Sequence, residues 1–267
     1  MIDPSARIAA GAEIGRDVTI GPFCTVGPNV TLADGVRLIS HVNVTGHTSV
    51  GPRTVIYPFA SLGTPPQSVK YKGGPTRLTV GADCDIREGV TLNIGTEDDR
   101  GVTEVGDGCF LMVGSHVGHD CQVGNRVVMA NNVLLGGHVS VGDNVVFGGG
   151  VAVRQFVRIG EGAMIVGLSG VRADVIPWGM AQGPLAFLVG LNVVGMRRKG
   201  LSKADIHAVR RAYQALFFGE GEFRARFEAL AAEAEVTAPV QRMIDFIRAG
   251  KRPLTMGSKR RGDDEEL

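Results

Sequence analysis

The sequence predicts a mainly β chain: a parallel β-helix of hexapeptide repeats over residues 1–176, a C-terminal α-helical domain over 177–250, and a disordered tail over 251–267. Three observations predict it. Aliphatic residues recur every six positions, from Ile8 through Ile14, Ile20, Val26, Leu32, Leu38, Val44, Val50 and Ile56 to Leu62. Glycine often follows the aliphatic residue, as at Gly15, Gly21, Gly27, Gly51 and Gly63. After Val171 the beat stops, and apolar residues fall into helical spacing.

A period of six fits neither an amphipathic helix nor a plain alternating strand. It fits a short strand that turns an aliphatic side chain inward, followed by a tight turn at Gly, Asn or Asp. Three such hexads close one triangular coil, and stacked coils make three parallel sheets around an aliphatic interior. Each coil buries its inner residues only against its neighbours, so stability accumulates coil by coil.

Two excursions interrupt the beat. The stretch from Thr64 to Pro75 is a loop by its Pro and Gly content. Val80 still falls on the beat that Leu62 sets, three whole hexads on, so the loop either replaces one turn of the coil or bulges from it in register. Val80, Ile86 and Leu92 continue the beat. A second excursion, Gly95 to Glu104, shifts the phase by one residue, because Val105 falls just past the position that Leu92 sets. The beat then runs from Val105 through Leu111, Val117, Val123, Met129, Leu135, Val141, Phe147, Val153, Ile159 and Ile165 to Val171.

Pro177, Gly179, Gly183 and Pro184 mark the change of regime. Ser202 is the expected N-cap of a helix, with Asp205 at its third position. Ile206, Val209, Ala212, Tyr213, Leu216 and Phe217 carry its apolar face. Gly219 to Gly221 break it. Phe223, Phe227, Leu230 and Ala231 trace a second helix, and Val240, Met243, Ile244 and Ile247 a third that ends near Gly250. The tail from Lys251 to Leu267 has mixed charge and little apolar content, the composition of disorder.

A formal net charge of +1 leaves no basic footprint for nucleic acid or a membrane surface. No window approaches the roughly 18 apolar residues of a spanning helix, so membrane insertion is not expected. The start, Met1-Ile2-Asp3-Pro4, has no basic run and no apolar stretch of a signal peptide, and a soluble cytoplasmic protein is expected. The 39 glycines are in no Gly-X-Y register, which excludes collagen. Cys24, Cys84, Cys109 and Cys121 show no C-x-x-C pairing and read as free buried cysteines.

The chemistry gathers in Gly114-Ser115-His116-Val117-Gly118-His119-Asp120-Cys121-Gln122-Val123. Residues three hexads apart stack on the same face of such a coil. His119, Gly137 and Gln155 therefore share one edge, with His138 beside Gly137, Asp120 adjacent, and His116 one short strand away. A lone histidine there would be an ordinary turn residue, but three beside an aspartate point to a site. No metal is expected, because the spacing is not H-E-x-x-H on a helix and no thiolates accompany it. Ser115 and Cys121 are the candidate nucleophiles, and alternation sends both away from His119. The simpler arrangement is direct attack by an acceptor hydroxyl with His119 as general base. Asp120 would orient the ring and stabilise the imidazolium. A backbone N–H at Gly137 would stabilise an oxyanion.

The stretches Met112 to Cys121, Gly137 to Val141, Ala152 to Phe156 and Ala181 to Gly183 closely resemble the bacterial UDP-N-acetylglucosamine O-acyltransferases of the hexapeptide-repeat family. The Gln67 to Tyr71 loop, the Pro75-Thr76-Arg77 turn and the C-terminal helices match as well, so the resemblance covers about residues 1–250. It implies a left-handed β-helix, against the usual right-handed crossover, and a homotrimer with active sites between subunits. It implies transfer of an (R)-3-hydroxyacyl chain from acyl carrier protein to the 3-position of a UDP-sugar in lipid A biosynthesis. No cofactor is implied beyond the phosphopantetheine carried by the donor. By resemblance His119 is the catalytic base, Asp120 its partner and Gly137 the glycine whose amide faces the thioester carbonyl. Gln67, Ser68, Lys70 and His116 fall at sugar-nucleotide contacts, and His138, Arg154 and Gln155 at the substrate channel. Asn192 and Arg198 fall at nucleotide contacts, and Gly167 where a glycine leaves room for a long acyl chain.

The chain departs from the family pattern at four positions. Ser68 stands where an aspartate is usual, Asn93 and Arg154 where histidines are usual, and Val194 where a glutamate is usual. Some relatives acylate a 3-amino analogue of the sugar, and the changes at Ser68 and Asn93 leave that acceptor open. An acetyl-CoA-dependent hexapeptide acetyltransferase, and a non-catalytic or metal-binding hexapeptide coil resembling the γ-carbonic anhydrases, remain the alternatives.

Overall fold

The computed structural model describes residues 1–233 and 235–257. Short strands, most of them two residues long, wind into three sheets of parallel strands. Sheet I runs from Arg7–Ile8 to Gly170–Val171, sheet II from Glu13–Ile14 to Arg158–Ile159, and sheet III from Thr19–Ile20 through Met164–Ile165. Pairing follows the beat: Thr25 lies opposite Asn43 and His116 opposite Leu134, each one coil on.

The pleat explains why each hexad carries an aliphatic residue at a fixed place. Along sheet I, Val117, Leu135 and Val153 point inward and are buried. Two residues earlier, Ser115, Val133 and Val151 also point inward, and the residue between, His116, Leu134 or Ala152, faces out. The result is a column of side chains filling a dry interior, where a Leu135→Ala change would cost about 2–5 kcal/mol. All four cysteines are free and sit in this interior. At the corner between sheets I and II the chain turns through Asp120, His138 and Phe156, at φ of 59°, 62° and 67°. Asp and His tolerate this left-handed region better than most residues.

Both excursions are additions to a coil. Ser61 pairs with Thr91, two whole hexads beyond the place one coil on, so the first loop (64–75) bulges from the coil in register. Thr91 pairs with His116, which lies beyond the place one coil on by a hexad and one further residue, so the second loop (95–104) is also an insertion and carries the phase shift. Both lie beside the stretch that carries the histidines.

Past the coil, Gly179–Gln182 extends sheet III in parallel, and Phe187–Leu191 pairs with it antiparallel. This hairpin carries no beat and was not expected. Four helices follow: α1 (Val193–Arg198), α2 (Lys203–Phe218), α3 (Phe223–Ala231) and α4 (Ala238–Arg248). Ser202 caps α2 in a reciprocal box with Asp205, and all six expected apolar positions of α2 are buried. The short α1 lacks apolar periodicity and was not anticipated. Arg158 ties α4 to the coil, donating to the Phe246 carbonyl at 3.0 Å and to the Asp174 carboxylate at 2.7 Å.

The expected disorder of 251–267 fails for residues 251–257. Asp174 N–H donates to Pro253 O at 3.0 Å, Thr255 N–H to Asp174 O at 2.7 Å, and Leu188 N–H to Met256 O at 2.9 Å. The edges at Asp174 and Leu188 present backbone groups that need partners, and a polar segment satisfies them as well as an apolar one. Residues 258–267 lie outside the described residues. Among the described residues no helix is long and apolar enough to cross a membrane.

Candidate active site

The corner between sheets II and III shows how this coil normally treats a turn N–H. Ala82 N–H donates to Asp107 Oδ1 at 2.7 Å, Asp107 N–H to Asn125 Oδ1 at 2.8 Å, and Asn125 N–H to Asp143 Oδ1 at 2.8 Å. Each turn is capped by a short polar side chain one coil later. At the corner between sheets I and II Asp120 caps the Thr96 N–H in the same way, but at His119 the device is missing. One coil above His119 stands Gly137, which has no side chain to cap with.

The imidazole of His119 occupies the space that a side chain at 137 would fill. A Cβ on Gly137 would lie 2.6 Å from both Cε1 and Nε2 of the ring. Among the described residues the Gly137 N–H reaches no protein acceptor. One glycine therefore both admits the ring and leaves a backbone donor open beside it.

Asp120 fixes the ring from behind. Its Oδ2 lies 2.8 Å from His119 Nδ1. The residue is only 2% exposed. The carboxylate accepts the Thr96 N–H at 3.0 and 3.1 Å and the Thr96 hydroxyl at 2.7 Å, while the Asp120 N–H donates to Thr103 Oγ1 at 2.8 Å. An ionised carboxylate only accepts, so Nδ1 carries the proton and Nε2 keeps its lone pair. That lone pair is free to take up a proton.

A cleft of about 730 Å³ opens on this edge, lined by His119, Gly137, His116, Gln67, Arg154 and Gln155 together with Asn93. His116 Nδ1 lies 2.8 Å from Thr91 Oγ1. Burial, and then the nearby His119, push the His116 pKa below the usual histidine value, so the ring stays neutral and polar.

Other expected site residues fall elsewhere. Ser68 and Lys70 sit on the first loop outside the cleft lining, with Lys70 N–H donating to Ser68 Oγ at 3.3 Å. His138 turns away from the cleft: its ring stacks on Phe156 at 4.2 Å and its Nδ1 meets Asp99 Oδ2 at 2.5 Å. Gly167 lies at the opposite corner of sheet I, against Gly149. Asn192 and Arg198 line a second cleft, of about 620 Å³, on sheet III, with Val194, Trp178 and Met164. There Asn192 caps α1: its Oδ1 accepts from Gly195 N–H at 2.9 Å and its Nδ2 donates to Gly162 O at 2.8 Å.

Comparison with known proteins decides the family. The profile described as UDP N-acetylglucosamine O-acyltransferase, domain 2, matches residues 174–255, and that of the bacterial transferase hexapeptide matches residues 103–137. An acyl-(acyl-carrier-protein)–UDP-N-acetylglucosamine O-acyltransferase of Azorhizobium caulinodans is 58% identical over 260 residues, covering 97% of this chain and 96% of the relative. The chain belongs to the UDP-N-acetylglucosamine O-acyltransferase family. A relative of the same name from Sinorhizobium medicae is 49% identical over 93% of this chain and 92% of its own. The solved UDP-N-acetylglucosamine acyltransferase from Campylobacter jejuni superposes with a TM-score of 0.91 at 34% identity, over 97% of this chain and all of that one (100%). That from Francisella novicida gives 0.94 at 30% identity, over 97% and 95%.

The fold shared with these acyltransferases is the left-handed parallel β-helix, so the handedness expected from the resemblance holds. Within this UDP-N-acetylglucosamine O-acyltransferase framework, sequence reasoning missed Thr96, Thr103 and Asp99. They lie on the second loop, whose place in the chain was legible but whose path was not. His119, Asp120 and His138 also bring three potential metal ligand atoms within 4.8 Å of one another. Those atoms are engaged with each other and with Asp99 and Thr96, an arrangement suited to holding protons.

Proposed function

We propose that this chain transfers an (R)-3-hydroxyacyl group from acyl carrier protein to the 3-position of UDP-N-acetylglucosamine, in lipid A biosynthesis. The observation that carries the reading is the His119–Asp120 pair set flush against Gly137. Nε2 of His119 takes the proton from the acceptor as its heteroatom attacks the thioester carbonyl. Asp120 stabilises the imidazolium that forms. The oxyanion of the tetrahedral intermediate is met by the open Gly137 N–H. Collapse breaks the C–S bond, and the proton on Nε2 passes to the departing phosphopantetheine thiol. The arm arrives with the donor, and the reaction needs no other cofactor. The names of the similar proteins, which specify a carrier-protein donor and this sugar nucleotide, support the reading.

The active unit in this reading is a cytoplasmic homotrimer. Its support is that residues expected to touch one nucleotide lie on two faces: Gln67 and His116 on the sheet I side, Arg198 on the sheet III side. They can serve one substrate only between two copies. Gly167 would bound the acyl chain, and Lys70 and Ser68 would close over the sugar with their loop.

A second acceptor, the 3-amino analogue of the sugar, is favoured by Asn93. Its Nδ2 donates to Thr64 Oγ1 at 2.9 Å and Pro65 O at 3.2 Å, while its Oδ1 is buried without a partner in the cleft lining. A hydroxyl has one proton, and His119 needs it. An amine has a second N–H that Oδ1 can accept. The test is to offer carrier-bound 3-hydroxyacyl and acetyl-CoA with each sugar nucleotide and analyse the products. Ester or amide from the carrier-bound donor is expected. Turnover with acetyl-CoA alone would overturn the reading.

A further inference from the structure

We propose that His138 is a positioning residue: its pairing with Asp99 latches the second loop, which in turn holds the Gln67 loop over the cleft. The proposal rests on the reading of the cleft as a sugar-nucleotide site.

The connections run in one physical chain. His138 is clamped by stacking on Phe156, with ring planes 4° apart, and it meets His119 edge-on at 4.8 Å. Its side chain is 15% exposed, and that of Asp99 is 42% exposed. Nδ1 of this fixed ring lies 2.5 Å from Asp99 Oδ2, in the middle of the second loop. The root of that loop is Thr96, bound to the buried Asp120. The next residue, Glu97, accepts the N–H of Gly74 on the first loop. The two loops are in close contact there, since a Cβ on Gly74 would run into Glu97 Cγ. The Tyr71 hydroxyl donates to Gly74 O at 3.1 Å, which carries the constraint back toward Gln67. Gln67 lines the cleft.

Strand pairing resumes in the second loop only at Val102, and neither 65–75 nor 96–101 has any of its own. Their conformation therefore depends on side-chain contacts such as these and the Arg100–Glu104 pair, and Asp99 ties the outer part of the second loop to the corner of the coil. The His119 ring is held by its bond to Asp120 and by the edge of His138, which Phe156 keeps stacked, and neither contact involves Asp99, so releasing Asp99 leaves the base in place. Loss of the latch should change how well the sugar nucleotide is held and leave proton transfer alone.

Asp99→Ala tests this in steady-state kinetics with carrier-bound donor. The Km for the UDP-sugar should rise about three- to ten-fold, with kcat and the Km for the donor within about two-fold, the scale expected for one half-exposed charged hydrogen bond. Asp99→Asn keeps an oxygen that accepts from Nδ1–H and should restore the Km to within about two-fold of the parent. Asp99→Ala and His138→Ala combined should be no worse than His138→Ala alone. An unchanged sugar Km in Asp99→Ala overturns the latch, as does a rise confined to the donor Km. A parent protein without turnover would instead sink the functional reading. Hydrogen exchange then still tests the latch: in Asp99→Ala, amides of both loops should exchange faster, and acceleration confined to 96–101 overturns it.

Discussion

Gly137→Ala is the sharpest single perturbation of this site. Glycine at 137 does not have positive φ, so alanine fits the backbone. The three atoms nearest the added methyl carbon all belong to the His119 ring, with Cε1 and Nε2 at 2.6 Å, where real contacts stay beyond 3.0 Å. Backbone on both sides is locked in the coil ladder, so the imidazole must move. Moving it strains or breaks the 2.8 Å bond from Nδ1 to Asp120, while Asp120 keeps its three bonds from Thr96. The stability cost is then small, below about 1 kcal/mol, because a ring at the cleft wall can swing outward. The catalytic cost is large. Misplacing a reacting group by about 1 Å lowers turnover by about 100-fold, and kcat should fall by that order. The assay is steady-state turnover with carrier-bound acyl donor and UDP-N-acetylglucosamine, beside a thermal melt of each protein. Parent-like kcat in a normally folded Gly137→Ala would refute the argument that the ring and the glycine form one unit.

Asp120→Asn should lower kcat by about 100- to 10,000-fold, because an amide can present N–H to Nδ1 and select the wrong tautomer. It should also cost about 1–3 kcal/mol, since the amide cannot accept everything Thr96 and His119 donate. A mild kinetic effect in that variant would count against the tautomer argument. His116 has a lowered folded pKa through burial, so the stability it contributes is present above about 6.5 and lost as pH falls through the folded value. Melting temperature of the parent should therefore drop more steeply on acidification than that of His116→Gln, and parallel curves would contradict the burial assignment. Asn192→Ala removes the α1 cap and should cost about 1 kcal/mol, or about 2–4 °C in melting temperature. An unchanged melt with a raised nucleotide Km would mean that Asn192 acts on the nucleotide instead.

The coil was legible because its period is a direct consequence of its geometry. Each hexad needs one residue such as Val117 or Leu135 inside, and no other fold requires that spacing. The column of His119, Gly137 and Gln155 followed from the same arithmetic. The helix α2 was legible from Ser202 and Asp205. What escaped was whatever lacks a period. The hairpin at Phe187–Leu191, the cap at Asn192 and the docked segment through Thr255 depend on backbone groups at the end of the coil, which leave no mark in apolar spacing. His138 was legible as a neighbour of His119 but not as a partner of Asp99, because that contact joins distant parts of the chain through an irregular loop.

The proposed chemistry turns on Nε2 of His119 as the base. The measurement that tests it most directly is the single-turnover rate of His119→Ala with carrier-bound 3-hydroxyacyl donor and saturating sugar nucleotide, in protein shown by circular dichroism to keep its coil. The predicted result is a rate lower by about 100- to 10,000-fold, the range of a general base. A rate within about two-fold of the parent would contradict that claim.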